Sequence, residues 1–151
     1  MNTNLNAPDL TKRPPRSPRV RLGGYAVLPR MLDKGRAVIA GTNGEYNYAC
    51  PLDQRLLEFV GIDPEALTQQ LAAGKGDKEI LEWMQANRKQ KRTAEEIDLW
   101  SNEQERRTPV DAESKKYFAD LLAKTAPTRN DIATWSELLD LDDFVSYGGK
   151  A

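Results

Sequence analysis

Helix punctuation recurs along this chain at short intervals and leaves little room for a sheet. In LPRMLDKGRAVIAG the apolar residues Leu28, Met31, Leu32, Val38 and Ile39 fall on one face of a helix. Pro29 suits its first turn and Gly41 its stop. LDQRLLEFVG runs to Gly61, and DPEALTQQLAAG opens on Asp63 and Pro64 and closes on Gly74. DKEILEWMQANRK starts at Asp77, and DAESKKYFADLLAK lies between Pro109 and Pro127. TAEEIDLWSNEQER and TWSELLDL each open on a capping box, Thr93 with Glu96 and Thr134 with Glu137, in which each side chain satisfies a free backbone N–H of the first turn. Only EYNYA, after the turn dipeptide Asn43-Gly44, alternates as a strand would. The expected fold is therefore mainly α: a single compact domain of about six short helices over residues 25–151, an extended arm over residues 1–24, and at most one short hairpin. At 151 residues one hydrophobic core can form. Phe59, Trp83, Trp100, Tyr117, Phe118, Trp135 and Phe144 are expected to fill it.

The arm differs in chemistry from the body. KRPPRSPRVR holds Lys12, Arg13, Arg16, Arg19 and Arg21 with no acid, and Pro14, Pro15 and Pro18 favour extended backbone there. Residues 1–50 carry net charge +5 and residues 51–151 carry −6, so arm and body attract each other. The arm is expected to lie along its own acidic body. Two other uses are a proline-rich ligand for an aromatic groove and a track for a phosphate backbone. The second ranks last, because no aromatic is interleaved for base stacking and the pI is near 5.6.

Histidine is absent, which removes Ser-His-Asp and Cys-His nucleophile activation, imidazole proton shuttling and His-based metal sites within one chain. With one cysteine, neither an intramolecular disulfide nor a four-ligand structural zinc site can be built, and no metal or cofactor is expected. No apolar run approaches a membrane span, and the N-terminal residues lack a secretory h-region, so a cytoplasmic location is expected.

The remaining chemistry concentrates in GTNGEYNYACPLDQ, Gly41–Gln54. Strand alternation there places Tyr46, Tyr48 and Cys50 on one side and Glu45 and Asn47 on the other. Pro51 then stops the strand and Asp53 is placed to cap the next helix, whose positive end can activate a nearby thiol. A free cysteine is more often a small buried hydrophobe. Just upstream, Asp33, Lys34 and Arg36 read as a solvated helix face in the ordinary case. Gly35 lies on the apolar stripe, where its use is close approach of another backbone.

The order DLTKRPPRSPR…LGGY…LPRMLDKGRA…GEYNYACPLD…FVGID…GDKEILEW resembles an uncharacterised bacterial family, domain-of-unknown-function family 5069, over residues 9 to 143. The resemblance implies a stand-alone bacterial domain with no assigned activity or ligand. The resemblance also implies that many relatives carry histidine where this chain has Asn47, so a family-wide role for an imidazole would not extend to this chain.

Three functions are weighed. The first is a non-catalytic binding or assembly module, with a groove near residues 33–53 for a small anionic ligand or a protein partner. The ligand-binding candidates are Arg16, Arg19, Lys34, Arg36, Tyr46, Asn47 and Asp53. The second is a small His-independent enzyme for an anionic metabolite, with Asp33 as acid or base and Cys50 as nucleophile. The third is nucleic-acid binding through the arm. A homo-oligomer is compatible with the first.

Overall fold

The computed structural model describes residues 6–151. Among them the chain forms α1 (Leu28–Ala40), α2 (Pro51–Val60), α3 (Pro64–Ala72), α4 (Asp77–Asn87), α5 (Ala94–Arg106), α6 (Ala112–Thr125) and α7 (Trp135–Ser146). The only described strands are β1 (Arg21–Leu22) and β2 (Tyr25–Ala26), paired antiparallel with Arg21 opposite Ala26 and Leu22 opposite Tyr25. The fold is mainly α with one short hairpin, as the punctuation predicts. No described helix is long and apolar enough to cross a membrane.

The hairpin is not where alternation put it. It turns at Gly23 and Gly24, both at positive φ, whereas residues 45–49 form turns and no strand. Local bonds explain the difference. The Tyr46 N–H donates to the Asn43 carbonyl and the Asn43 amide donates to the Tyr46 carbonyl (3.0 and 2.9 Å), closing the segment on itself. Ala49 is then left-handed at φ 58, which breaks extended geometry before Cys50. The proposed common face of Tyr46, Tyr48 and Cys50 therefore does not form.

Helix α1 is the central post. All residues from Leu28 to Ala37 are buried. Its Leu28, Met31 and Leu32 meet Leu56, Leu57 and Val60 of α2, Leu67 and Leu71 of α3, Ile80 and Met84 of α4, and Ile97 of α5 in one core. Each such side chain contributes roughly 1.5–3 kcal/mol through burial. A Cβ on Gly35 would lie 2.6 Å from Leu71 and 3.2 Å from the Tyr48 ring, so the close approach comes from side chains and not from another backbone. The aromatics divide. Phe59 stacks on Trp100 at 4.9 Å, and both pack on the core with Trp83. Phe118 is buried and meets the Trp135 ring edge-on. Tyr117 and Phe144 are 62% and 56% exposed, against expectation, because they fall on the outer faces of α6 and α7.

Asp63, Thr93 and Thr134 cap their helices as read from sequence. Asp53 does not: Cys50 occupies the N-cap position of α2, Pro51 follows as the first helical residue, and Asp53 sits fully buried inside the first turn. The arm covers one side of α1. Leu10 is 1% exposed and its N–H donates to the Thr42 carbonyl at 2.8 Å, while Pro15 and Pro18 are buried. The Pro18 carbonyl accepts the N–H of Val27, a buried β-branched residue held at φ 74 just before α1. Such a conformation costs of order 1–3 kcal/mol and persists only where its surroundings enforce it.

Candidate functional site

The polar residues of α1 are buried, not solvated: Arg30, Asp33, Lys34 and Arg36 are all below a tenth exposed. The arm shields one polar side and α2 the other, so each charge needs a partner inside the protein. Three clusters supply them, the first and third linked by a bond from Arg30 to the Arg16 carbonyl at 3.2 Å.

The first joins the arm to α1 and α4. The Arg16 guanidinium donates to Asp33 through Nε and Nη2 (3.0 Å each) and to Asp77 through Nη1 (2.7 Å), and its backbone N–H also donates to Asp33 at 2.9 Å. Arg36 donates to Asp77 at 2.9 Å and to the Lys75 carbonyl at 3.2 Å. Donating hydrogen bonds to Asp77 and to Asp33 raises the Arg16 guanidinium above its ordinary pKa. At Asp77 burial pushes upward, but the hydrogen bonds from Arg16 and Arg36 outweigh it and hold the carboxyl below the usual aspartate range.

The second lies between α1 and α2. The Lys34 ammonium donates to Cys50 Sγ at 3.2 Å and stands 2.9 Å from Asp53 Oδ2. The Asp53 carboxylate accepts no well-angled hydrogen bond although it is 0% exposed, so its charge is balanced by the ion pair alone. In the third, the Tyr46 hydroxyl donates to Asp143 (2.7 Å), which also accepts from Arg30 (2.8 Å), and that guanidinium lies 5.6 Å from the Tyr46 ring centre. Burial, with the bond to Asp143 second, raises the Tyr46 phenol far above its ordinary value. Tyr48 turns elsewhere, donating to the Pro64 carbonyl at 2.8 Å, and burial pushes its phenol up to about 12.

Of the residues singled out from sequence, the structure joins Arg16, Asp33 and Arg36, and separately Lys34, Cys50 and Asp53. Arg19 pairs with Asp140 of α7 at 3.2 Å, away from both. Asn47 is exposed and its side chain makes no hydrogen bond. Asp33 and Cys50 engage different clusters, with no hydrogen bond between them.

A polar cleft of about 230 Å³ opens beside the first cluster, lined by Asn6, Arg16, Arg36, Gly74, Lys75, Gly76 and Asp77. Sequence reasoning read Gly74 and Asp77 only as a stop and a start, and passed over Lys75. The signal was the GKGD loop between two helices, which places a lysine and flexible backbone at the positive end of α4. No group of three or more His, Cys, Asp or Glu side chains suited to a metal ion occurs among the described residues.

No curated protein matches the chain. A family model described as Domain of unknown function (DUF5069) matches residues 12–145, a span running from the basic arm through α1 and its buried charges into α7. The chain therefore belongs to the DUF5069 family.

Proposed function

We propose that the protein is a non-catalytic binding module that holds a small anion in the cleft between its arm, α1 and the loop before α4. One observation carries this reading: Arg16, Arg36 and Lys75 converge on that cleft, where Asp33 and Asp77 are the only carboxylates in the cluster, leaving one positive charge uncompensated. Lys75 has no carboxylate partner; its ammonium donates to Gln70. The N-terminus of α4 opens at the same place, where the Gly76 N–H already donates to the Glu79 carboxylate at 3.2 Å. The volume is below the roughly 300–1,000 Å³ of drug-sized ligand sites, which favours an anion of phosphate or small-carboxylate size.

The cleft lies beside the 33–53 stretch, sharing Arg36 with it, and the Gly41–Gln54 cluster does not line it. The His-independent enzyme draws less support. Its acid or base, Asp33, is clamped by Arg16, and its nucleophile, Cys50, contacts Lys34 in another cluster. Nucleic-acid binding by the arm draws least, since four of its five basic residues already face carboxylates. The free thiol suits a reducing compartment, in keeping with a cytoplasmic setting.

Calorimetric titration with inorganic phosphate tests the proposal. Phosphate binds the intact chain; Lys75→Gln weakens it about several-fold, and Asp77→Asn, which removes a competing negative charge, tightens it. No measurable binding, or equal binding by wild type and Lys75→Gln, overturns the reading.

A further inference from the structure

A second cleft, of about 770 Å³, is lined by guanidinium groups that form no carboxylate ion pair among the described residues. Among the described residues, which include all twelve arginines, seven arginines form carboxylate ion pairs. Of the five that do not, Arg55, Arg106 and Arg107 all line this one cleft, between α2, the end of α5 and the start of α6 and α7. Arg55 is oriented by its Nε, which donates to the buried Gln104 at 3.0 Å and leaves the two terminal nitrogens free. Arg107 is half-buried with no side-chain partner, and burial, then the charge of Arg55, lowers its guanidinium below the ordinary value. A structure holding like charges together in partial burial gains from an anionic group that separates them.

The same cleft carries apolar contact surface. Val110 and Leu99 are 82% and 65% exposed, and the Trp135 ring lines it as well. Its carboxylates do not neutralise the arginines: Asp111 is turned to the Ser114 N–H at 2.7 Å, capping α6, and Glu103 makes no ion pair.

We infer that this cleft docks an acidic peptide segment of a partner protein, its carboxylates on Arg55 and Arg107 and one apolar side chain against Leu99, Val110 and Trp135. Guanidinium forks suit carboxylates in bidentate geometry, and the aliphatic surface gives such a peptide a place to exclude water. A nucleic-acid strand fits less well, because Glu103 and Asp111 on the lining oppose a continuous run of phosphates. The site is separate from the anion cleft beside α4, and neither inference depends on the other.

The test is fluorescence anisotropy with a short, blocked, dye-labelled peptide of Asp and Glu around one Phe, beside its Asn and Gln counterpart. The acidic peptide binds and the amide peptide does not, and Arg107→Gln weakens binding by about tenfold or more, as expected for loss of a charged hydrogen-bond pair. Because the Arg107 side chain has no hydrogen-bond or ion-pair partner among the described residues, Arg107→Gln leaves the melting temperature unchanged or higher, so weaker binding is not unfolding. Equal binding of the two peptides, or of wild type and Arg107→Gln, overturns the inference. So does displacement of the peptide by millimolar phosphate or by a single-stranded RNA at lower concentration. A self-associated chain that binds no peptide until diluted also overturns it, since a second copy would then be the occupant.

Discussion

Substituting Lys34→Met probes the most deeply buried charge pair. The Lys34 side chain is 4% exposed and that of Asp53 0%, with 2.9 Å between nitrogen and oxygen. Asp53 has no other group to balance its charge, because its carboxylate accepts no well-angled hydrogen bond. The gross attraction at that distance is about 5–6 kcal/mol at an effective dielectric near 20. Much of it offsets desolvation, but removing one partner strands the other, and such losses run to about 3–5 kcal/mol. Lys34→Met should therefore lower the unfolding free energy by about that amount. For a domain of this size the melting temperature should fall by roughly 6–20 °C. Urea unfolding followed by circular dichroism measures it, provided the slope with denaturant is unchanged. The double variant Lys34→Met with Asp53→Leu should recover most of the loss, because a methyl-rich pair no longer carries an unbalanced charge. A Lys34→Met protein within about 0.5 kcal/mol of wild type, or a double variant as unstable as the sum of the singles, would refute the reasoning.

Three further outcomes follow from the same structure. Deleting residues 1–21 removes buried Leu10 and the Arg16 partner of Asp33, and should lower stability by about 4 kcal/mol or more in a thermal melt; because the Arg16 and Arg19 side chains are part-exposed, added salt should shrink the ionic share of that difference and leave the share from Leu10. The Tyr48 phenol is favoured neutral in the folded chain, so its contribution is complete below the ordinary value of about 10 and is lost as pH rises from there through about 12. Tyrosinate absorbance should show two late-titrating phenols, of which Tyr48→Phe removes the earlier and leaves that of Tyr46. Ala49 is left-handed at φ 58, and Ala49→Gly should raise stability by about 0.5 kcal/mol in denaturant titration, the relief of strain exceeding the entropy lost by glycine.

The helices were legible because their signals are local. A Thr93 or Thr134 with glutamate three residues on satisfies orphan N–H groups whatever the rest of the chain does, and those boxes form as read. The buried charges of α1 were not legible, since the same residues would face water on a lone helix. The docked arm, α2, and Lys75 with Asp77 at the start of α4 enclose Asp33, Lys34 and Arg36, and that packing joins residues far apart in sequence. The Asn43–Tyr46 turn was misread for a related reason. Alternating EYNYA is a strand only if a neighbour pairs with it, and the Asn43 side chain captures the backbone first. The charge contrast between arm and body did foretell that the two meet, though not that Arg16 would bridge two aspartates or that Lys75 would complete the cleft.

Titration of inorganic phosphate into isotope-labelled protein, followed through backbone amide and arginine Nε–H resonances, tests anion binding by the arm and α1 most directly. Saturable shifts should concentrate at Gly74, Lys75, Gly76 and Asp77 and at the Nε–H groups of Arg16 and Arg36, and should shrink in Lys75→Gln. Shifts that never saturate, or that gather elsewhere and leave these groups unmoved, would contradict it.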